Sequence, residues 1–241
     1  MIGLWNKYYE EAILSIEQDK VPAYYLDSKI RDLSEHLSYS DKNFILLKIL
    51  SSNCPSNIFR YLNKNKALIH ICWHLDSLRF VPQNKGKSKN AFDHTLRVMD
   101  AVPKERITLR WVALLHDLGK HDSYYIDKNF NKHQIYSYNI AKIFTKLYDI
   151  EEDKKIVNIV RNHMFPLDYQ RQPNWTDKGV KRLIERIGKE DVLDTISFAY
   201  YDKKAENDVK EYLDIIDDLF YRVTQELLID DLFFGEIKCR E

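Results

Sequence analysis

The sequence predicts an all-α protein on three observations. Six glycines and six prolines in 241 residues leave few interruptions. Apolar residues recur at three- and four-residue spacing over long stretches, and the alternation that would mark strands has little support.

Ile30, Leu33 and Leu37 give the first helical face, and Phe44, Leu46, Leu47, Ile49 and Leu50 continue as a second helix after the capping-type pair Ser40-Asp41. Pro55-Ser56-Asn57 opens a short helix through Leu62, and Ala67 to Leu78 reads as another. Residues 82–90 (Pro82-Gln83-Asn84-Lys85-Gly86-Lys87-Ser88-Lys89-Asn90) are polar, basic and rich in breakers. They are expected to form a loop, either a boundary between subdomains or a long active-site loop. Helices are expected at 91–101, 105–118, 133–147, 151–163, 177–187, 189–204 and 205–227, with Gly119 and Gly188 at helix C-termini. The organisation predicted is an N-terminal helical region over 1–90, a main helical domain over 91–229 and an irregular tail over 230–241.

With 44% hydrophobic and 13% aromatic residues, the chain can build a core. Its 37 basic and 37 acidic residues cancel, which excludes a protein that binds nucleic acid by bulk charge, so any phosphate binding is local. Three cysteines, Cys54, Cys72 and Cys239, have no close pair, which argues against a disulfide framework and a cysteine-based zinc site. Near the N-terminus Lys7, Glu10, Glu11 and Glu17 break up any signal-peptide core or membrane span. A cytoplasmic protein with no membrane partner is expected.

The apolar run Trp111-Val112-Ala113-Leu114-Leu115 ends in His116-Asp117-Leu118-Gly119-Lys120. An adjacent imidazole and carboxylate at the end of a buried segment are costly to desolvate unless they bind something, and a divalent metal is the usual partner. His94, His133 and His163 also fall near ends of expected helices, where side chains from separate helices can converge in a bundle. Asp202 lies in an aromatic helical stretch. Imidazole and carboxylate donors suit Mn, Fe, Co, Ni, Zn or Mg with positions left for water. His36, His70, His74 and His121 read as ordinary core or surface residues.

The ordered set His94, His116 with Asp117, and Asp202 resembles the ligand pattern of the HD superfamily of metal-dependent phosphohydrolases. Three stretches narrow the likeness: Phe92 to Asp100, Leu109 to Lys120, and Lys181 to Gly188. They are similar to the HD domain of bacterial tRNA nucleotidyltransferases, the CCA-adding enzymes, and Ile30 to Leu33, Leu46 to Leu50, Leu62 to Ala67 and Phe80 to Gln83 are similar to the region before it. The nucleotidyltransferase head of those enzymes has no counterpart here, for none of the six glycines adjoins a serine. The likeness implies an HD helical bundle with an N-terminal helical extension, working as a free-standing phosphatase, 2′-nucleotidase or 2′,3′-cyclic phosphodiesterase.

The resemblance further implies that His94, His116, Asp117 and Asp202 hold one divalent ion. His133 and His163 match the extra histidines of HD proteins that hold a second ion or position the phosphate; with one ion they would donate protons or hydrogen bonds. Lys120 is a candidate phosphate contact and catalytic group, with a solvated surface lysine as the alternative. Arg97, one turn after His94, and Lys203, beside Asp202, are further candidates for substrate binding. Asp93 and Asn162 stand next to ligands and read either as groups orienting them or as caps. Gln134 follows His133 where the family commonly has a glutamate. The expected substrate is a nucleotide or an RNA 3′-end phosphate, and a homodimer is left open.

Two other readings are compatible with these residues. One is an HD hydrolase of a signalling nucleotide, such as a cyclic dinucleotide or an alarmone. The other is a non-catalytic HD scaffold that docks RNA or protein. Lys85, Lys87 and Lys89 with Tyr124, Tyr125 and Trp175 read either as a nucleic-acid edge or as solvated charges and core aromatics.

Overall fold

The computed structural model describes residues 4–85, 88–166, 169, 175–206 and 210–238. The N-terminal region comprises α1 (Leu4–Glu17), α2 (Tyr24–Ser34), α3 (Tyr39–Leu50), α4 (Pro55–Lys64), α5 (Leu68–Ile71) and α6 (Trp73–Ser77). Local chemistry sets several starts. Ser38, rather than Ser40, caps α3 in a reciprocal box with Asp41, and Pro55 opens α4 where its missing N–H has no cost.

The segment expected as a loop is a small antiparallel hairpin, β1 (Pro82–Lys85) with β2 (Ser88–Asn90), in which Pro82 faces Asn90 and Lys85 faces Ser88. Propensity does not predict it. The hairpin packs on the following helix and is closed at its base by Ala91 N–H donating to Val81 O at 2.9 Å. Tertiary contact thus overrides weak strand preference.

The remaining helices are α7 (Ala91–Ala101), α8 (Ile107–Leu115), α9 (Lys120–Ile126), α10 (His133–Leu147), α11 (Asp153–Asn162), α12 (Asp177–Ile187), α13 (Val192–Lys204) and α14 (Lys210–Lys238). The all-α expectation holds, with differences in detail. Neither α1 nor α9 was expected. Of the helix expected at 205–227, Ala205-Glu206 form a turn, residues 207–209 lie outside the described residues, and the helix runs from Lys210 through the tail expected to be irregular from Asp230, to Lys238. A lone Gly235 costs only about 1 kcal/mol in a helix, and elongation of a formed helix is cheap. Gly188 ends α12 at φ 95°, a conformation that suits glycine.

One large core runs from Tyr9 of α1 through α2 to α11 and on to Phe198 of α13. The N-terminal helices therefore share a single apolar interior with α7, α8, α10 and α11. Helix α8 is buried on every side from Leu109 to Leu115, and its one charged residue there, Arg110, bonds backbone carbonyls of Val102 (3.0 Å), Ser52 (2.6 Å) and Leu50. Those carbonyls belong to chain ends that leave α3 and α7 unsatisfied, so the guanidinium caps two helices at once. A second apolar cluster joins Val180, Leu183 and Ile187 of α12, Ile196 and Ala199 of α13, and Ile216, Leu219 and Val223 of α14. Helix α13 is shared: Phe198 faces the first core and Ile196 and Ala199 the second. Among the described residues, no helix is long and apolar enough to cross a membrane.

Candidate metal centre

The structure brings all six ligand candidates together. His94 lies in the first turns of α7, His116 and Asp117 follow the last turn of α8, His133 opens α10, His163 follows α11, and Asp202 lies in the last turn of α13. Asp202 is one helical turn beyond Phe198, whose ring touches His116 and His163 at centroid distances of 5.2 and 6.5 Å.

Asp117 divides the centre into two groups. Its Oδ2 lies 3.2 Å from His116 Nε2 and 3.6 Å from His94 Nε2, while Asp202 Oδ1 is 2.9 Å from His94 Nε2 and 3.8 Å from His116 Nε2. Its Oδ1 lies 3.4 Å from His133 Nε2, which is in turn 3.3 Å from His163 Nε2. Ligand atoms of His94, His116 and Asp117 all fall within 4.8 Å of one another, as do those of Asp117, His133 and His163.

Gly119 makes the second group possible. A Cβ there would stand 2.2 Å from the Ser137 nitrogen and 2.5 Å from the His133 carbonyl oxygen. Its φ is −73°, so this glycine allows the close approach of α10 rather than the left-handed helix end expected from the sequence. The Gly119 N–H donates to Ser137 Oγ at 2.9 Å, which fixes the start of α10 and with it His133.

His116 and His163 are oriented by the helices they follow, and His133 by the turn that leads into α10. Nδ1 of His116, His133 and His163 lies 2.9, 2.7 and 2.7 Å from the carbonyl oxygens of Ala113, Phe130 and Val160, each three residues earlier. A carbonyl only accepts, so each Nδ1 carries the proton and each Nε2 points inward. Asp93 and Asn162 do not orient these rings, because Asp93 pairs with Arg60 at 2.7 Å and Asn162 donates to Asn158.

Charge differs across the centre. Burial pushes the His163 imidazole down to about 3, helped by the neighbouring His133 and His116, and burial also lowers His133 against the pull of Asp117. Burial lowers His116 too, but the carboxylates of Asp117 and Asp202 outweigh it, and its pKa is raised. Burial would raise Asp117, yet His116, Lys120 and His133 together hold it well below the usual carboxylate range. Burial likewise opposes ionisation of Asp202, and the hydrogen bond and charge of His94 overcome it.

These residues fit a divalent cation. With His133 and His163 both neutral and protonated on Nδ1, two Nε2 lone pairs face each other at 3.3 Å, an arrangement that repels unless a cation or proton lies with them. His116 Nε2 is also buried without a hydrogen-bond partner among the described residues.

Lys120 is not a solvated surface group. It is 6% exposed, and its ammonium bonds Asp117 Oδ2 and, at 2.7 Å, Gln83 Oε1. Arg97 is half-buried with Nε unpartnered among the described residues, and no described contact joins it to the histidines. Lys203 bonds Glu206 at 2.6 Å. Of the proposed nucleic-acid edge, Lys87 lies outside the described residues, Lys89 is exposed, and Trp175 packs on Tyr169 at 5.2 Å. Of the other histidines, His70 lies 3.8 Å from Glu35, His74 stacks on Trp73 and His121 is 3.1 Å from Asp122.

Sequence reasoning missed Phe198 and Gln83 beside the centre. The i, i+4 relation to Asp202 signals Phe198; nothing in the sequence signals Gln83.

The family model of the HD domain matches residues 88–221, more than half of the chain. The chain belongs to the HD domain family. No curated protein matches it. HD membership and the buried histidine and aspartate cluster are compatible with a metal-dependent phosphohydrolase, and the HD match includes all six residues of the centre.

Proposed function

We propose that this HD protein is a metal-dependent phosphohydrolase that cleaves a phosphomonoester or a 2′,3′-cyclic phosphodiester of a nucleotide or RNA end. The observation that carries the reading is Asp117. One carboxylate turns Oδ2 to His94 and His116 and Oδ1 to His133, which stands 3.3 Å from His163, so two cation positions can share a ligand.

His94, His116, Asp117 and Asp202 would hold one divalent ion, and His133 and His163, with Asp117, a second. A bound ion supplies acidified water and polarises a phosphoryl oxygen. The protein's own contributions are separate. Backbone carbonyls lock three imidazoles in the tautomer that leaves Nε2 bare. The ring of Phe198 packs in T-shaped contacts with His116 and His163. Lys120, already beside Asp117, is placed to neutralise a phosphoryl oxygen.

The test is a panel of 2′-, 3′- and 5′-nucleoside monophosphates, 2′,3′-cyclic nucleotides, cyclic dinucleotides and bis(p-nitrophenyl) phosphate, run with Mn, Ni, Co and Mg. Hydrolysis of monoesters or 2′,3′-cyclic nucleotides, lost in His116→Ala, is expected. Turnover of a cyclic dinucleotide alone would move the protein to the signalling-nucleotide class. Purified protein without metal, with His116→Ala and Asp117→Ala leaving all hydrolysis unchanged, would refute the enzyme reading.

A further inference from the structure

The β1–β2 hairpin buries two polar side chains, Gln83 and Ser88, at 6% and 4% exposure. Gln83 Nε2 and Ser88 Oγ each lack a hydrogen-bond partner among the described residues. Gln83 adjoins the candidate centre, because its Oε1 accepts from Lys120 Nζ at 2.7 Å and the same ammonium donates to Asp117 Oδ2.

The orientation of the Gln83 amide follows from chemistry. A lysine ammonium has three protons and no lone pair, so it can meet the amide only at its oxygen. Nε2, with its two N–H groups, is therefore the free end. A buried amide nitrogen left unmade is unfavourable, and side chains in such positions commonly await a ligand or a water. Beside Asp117 the Lys120 ammonium and the Gln83 amide NH₂ stand together, and both offer protons and no lone pairs. A face made of donors selects an oxyanion.

We propose that Gln83 is a substrate-binding residue whose side-chain amide donates to a phosphoryl oxygen next to Lys120 and Asp117, making the hairpin one wall of the substrate site. This rests on the phosphohydrolase reading above and adds to it a group from outside the family's His and Asp set. The Gln83–Lys120 hydrogen bond ties the hairpin to the centre.

The experiment measures orthophosphate binding by calorimetry to the full chain loaded with Mn, together with metal content and thermal midpoint. Gln83→Met is made in the wild-type and in the Lys120→Met background, so that an effect transmitted only through Lys120 can be separated from direct contact. The expected result is unchanged metal content with phosphate affinity weakened about tenfold in both backgrounds, the scale of a lost hydrogen bond to a charged group. Gln83→Glu guards against a folding defect, because it keeps an acceptor for Lys120 while removing both N–H groups; it should retain the thermal midpoint and lose phosphate binding. No effect of Gln83→Met in the Lys120→Met background, or wild-type phosphate affinity in Gln83→Glu, overturns the assignment. If the wild-type protein holds neither metal nor phosphate, the phosphohydrolase reading itself falls. If it holds both and the Gln83 variants match it, only the role of Gln83 falls.

Discussion

The two groups that share Asp117 are built from different materials. On one side, His94 and His116 face two carboxylates, and the charge of those carboxylates raises His116 despite its burial. On the other, His133 and His163 face a single carboxylate oxygen, and burial wins, so both imidazoles are lowered. The first group gathers two carboxylates, one of them also bonded by the Lys120 ammonium. The second is a nearly neutral one whose donors are ready without losing protons. On the proposed function, the first group would hold an ion more tightly than the second.

Removing the shared residue should have the largest effect. Asp117→Asn is expected to lower metal affinity by more than the roughly 100-fold that loss of an outer partner costs, because a ligand to both positions is lost. Elemental analysis after dialysis against a weak chelator, with hydrolysis of the preferred ester, measures it. Retention of two ions per chain would mean that Asp117 does not join the groups.

Variants on one side sharpen the contrast. Asp202→Ala should abolish retention of the tightly held ion, whereas His163→Ala should keep about one ion per chain and lower activity less, by about 100-fold, the low end for a positioned acid or base. Metal titration of the two variants side by side decides it. Equal losses would make the groups equivalent and the division wrong.

The smallest effect concerns the metal-free protein in acid. An unfolded histidine takes a proton below about 6.5, whereas His163 in the fold stays neutral down to about 3. The unfolded chain then binds more protons, so stability falls as pH drops through that window. From pH 7.5 to 5 the loss from this one group is about 2 kcal/mol. His116, raised in the fold, works in the opposite direction. Urea midpoints across this range should fall in the metal-free wild type and flatten in His163→Gln. An unchanged slope in the variant would show that His163 is not the neutral partner in this pair.

Much of this was legible in the sequence, and unevenly so. The sparse glycine and proline and the helical spacing gave most helices, and α10 and α12 begin and end where the pattern places them. The hairpin was hidden because Pro82 to Asn90 carries turn residues and lysines, and only packing on α7 pairs its strands. Break points such as Cys72, where one expected helix becomes α5 and α6, have no signal in propensity. At the centre, His116-Asp117 stands out because an ionisable pair ends an apolar run. Asp202 was found only through the family pattern, since one aspartate in an aromatic helix is ordinary. The division by Asp117 was not legible, for it depends on which oxygen faces which ring.

Arg110 carries a consequence for where this fold can be cut. The stretch that resembles the family starts at Ser88, yet two of the three oxygens that receive the Arg110 guanidinium, those of Leu50 and Ser52, lie upstream of it. A fragment cut at Ser88 would keep a positive charge inside the bundle with one acceptor, Val102, and nothing to stand for the others. Breaking such a buried arrangement costs about 3 to 5 kcal/mol, comparable to the whole stability of many domains. The border of the matched stretch is thus not a place where the chain can be divided.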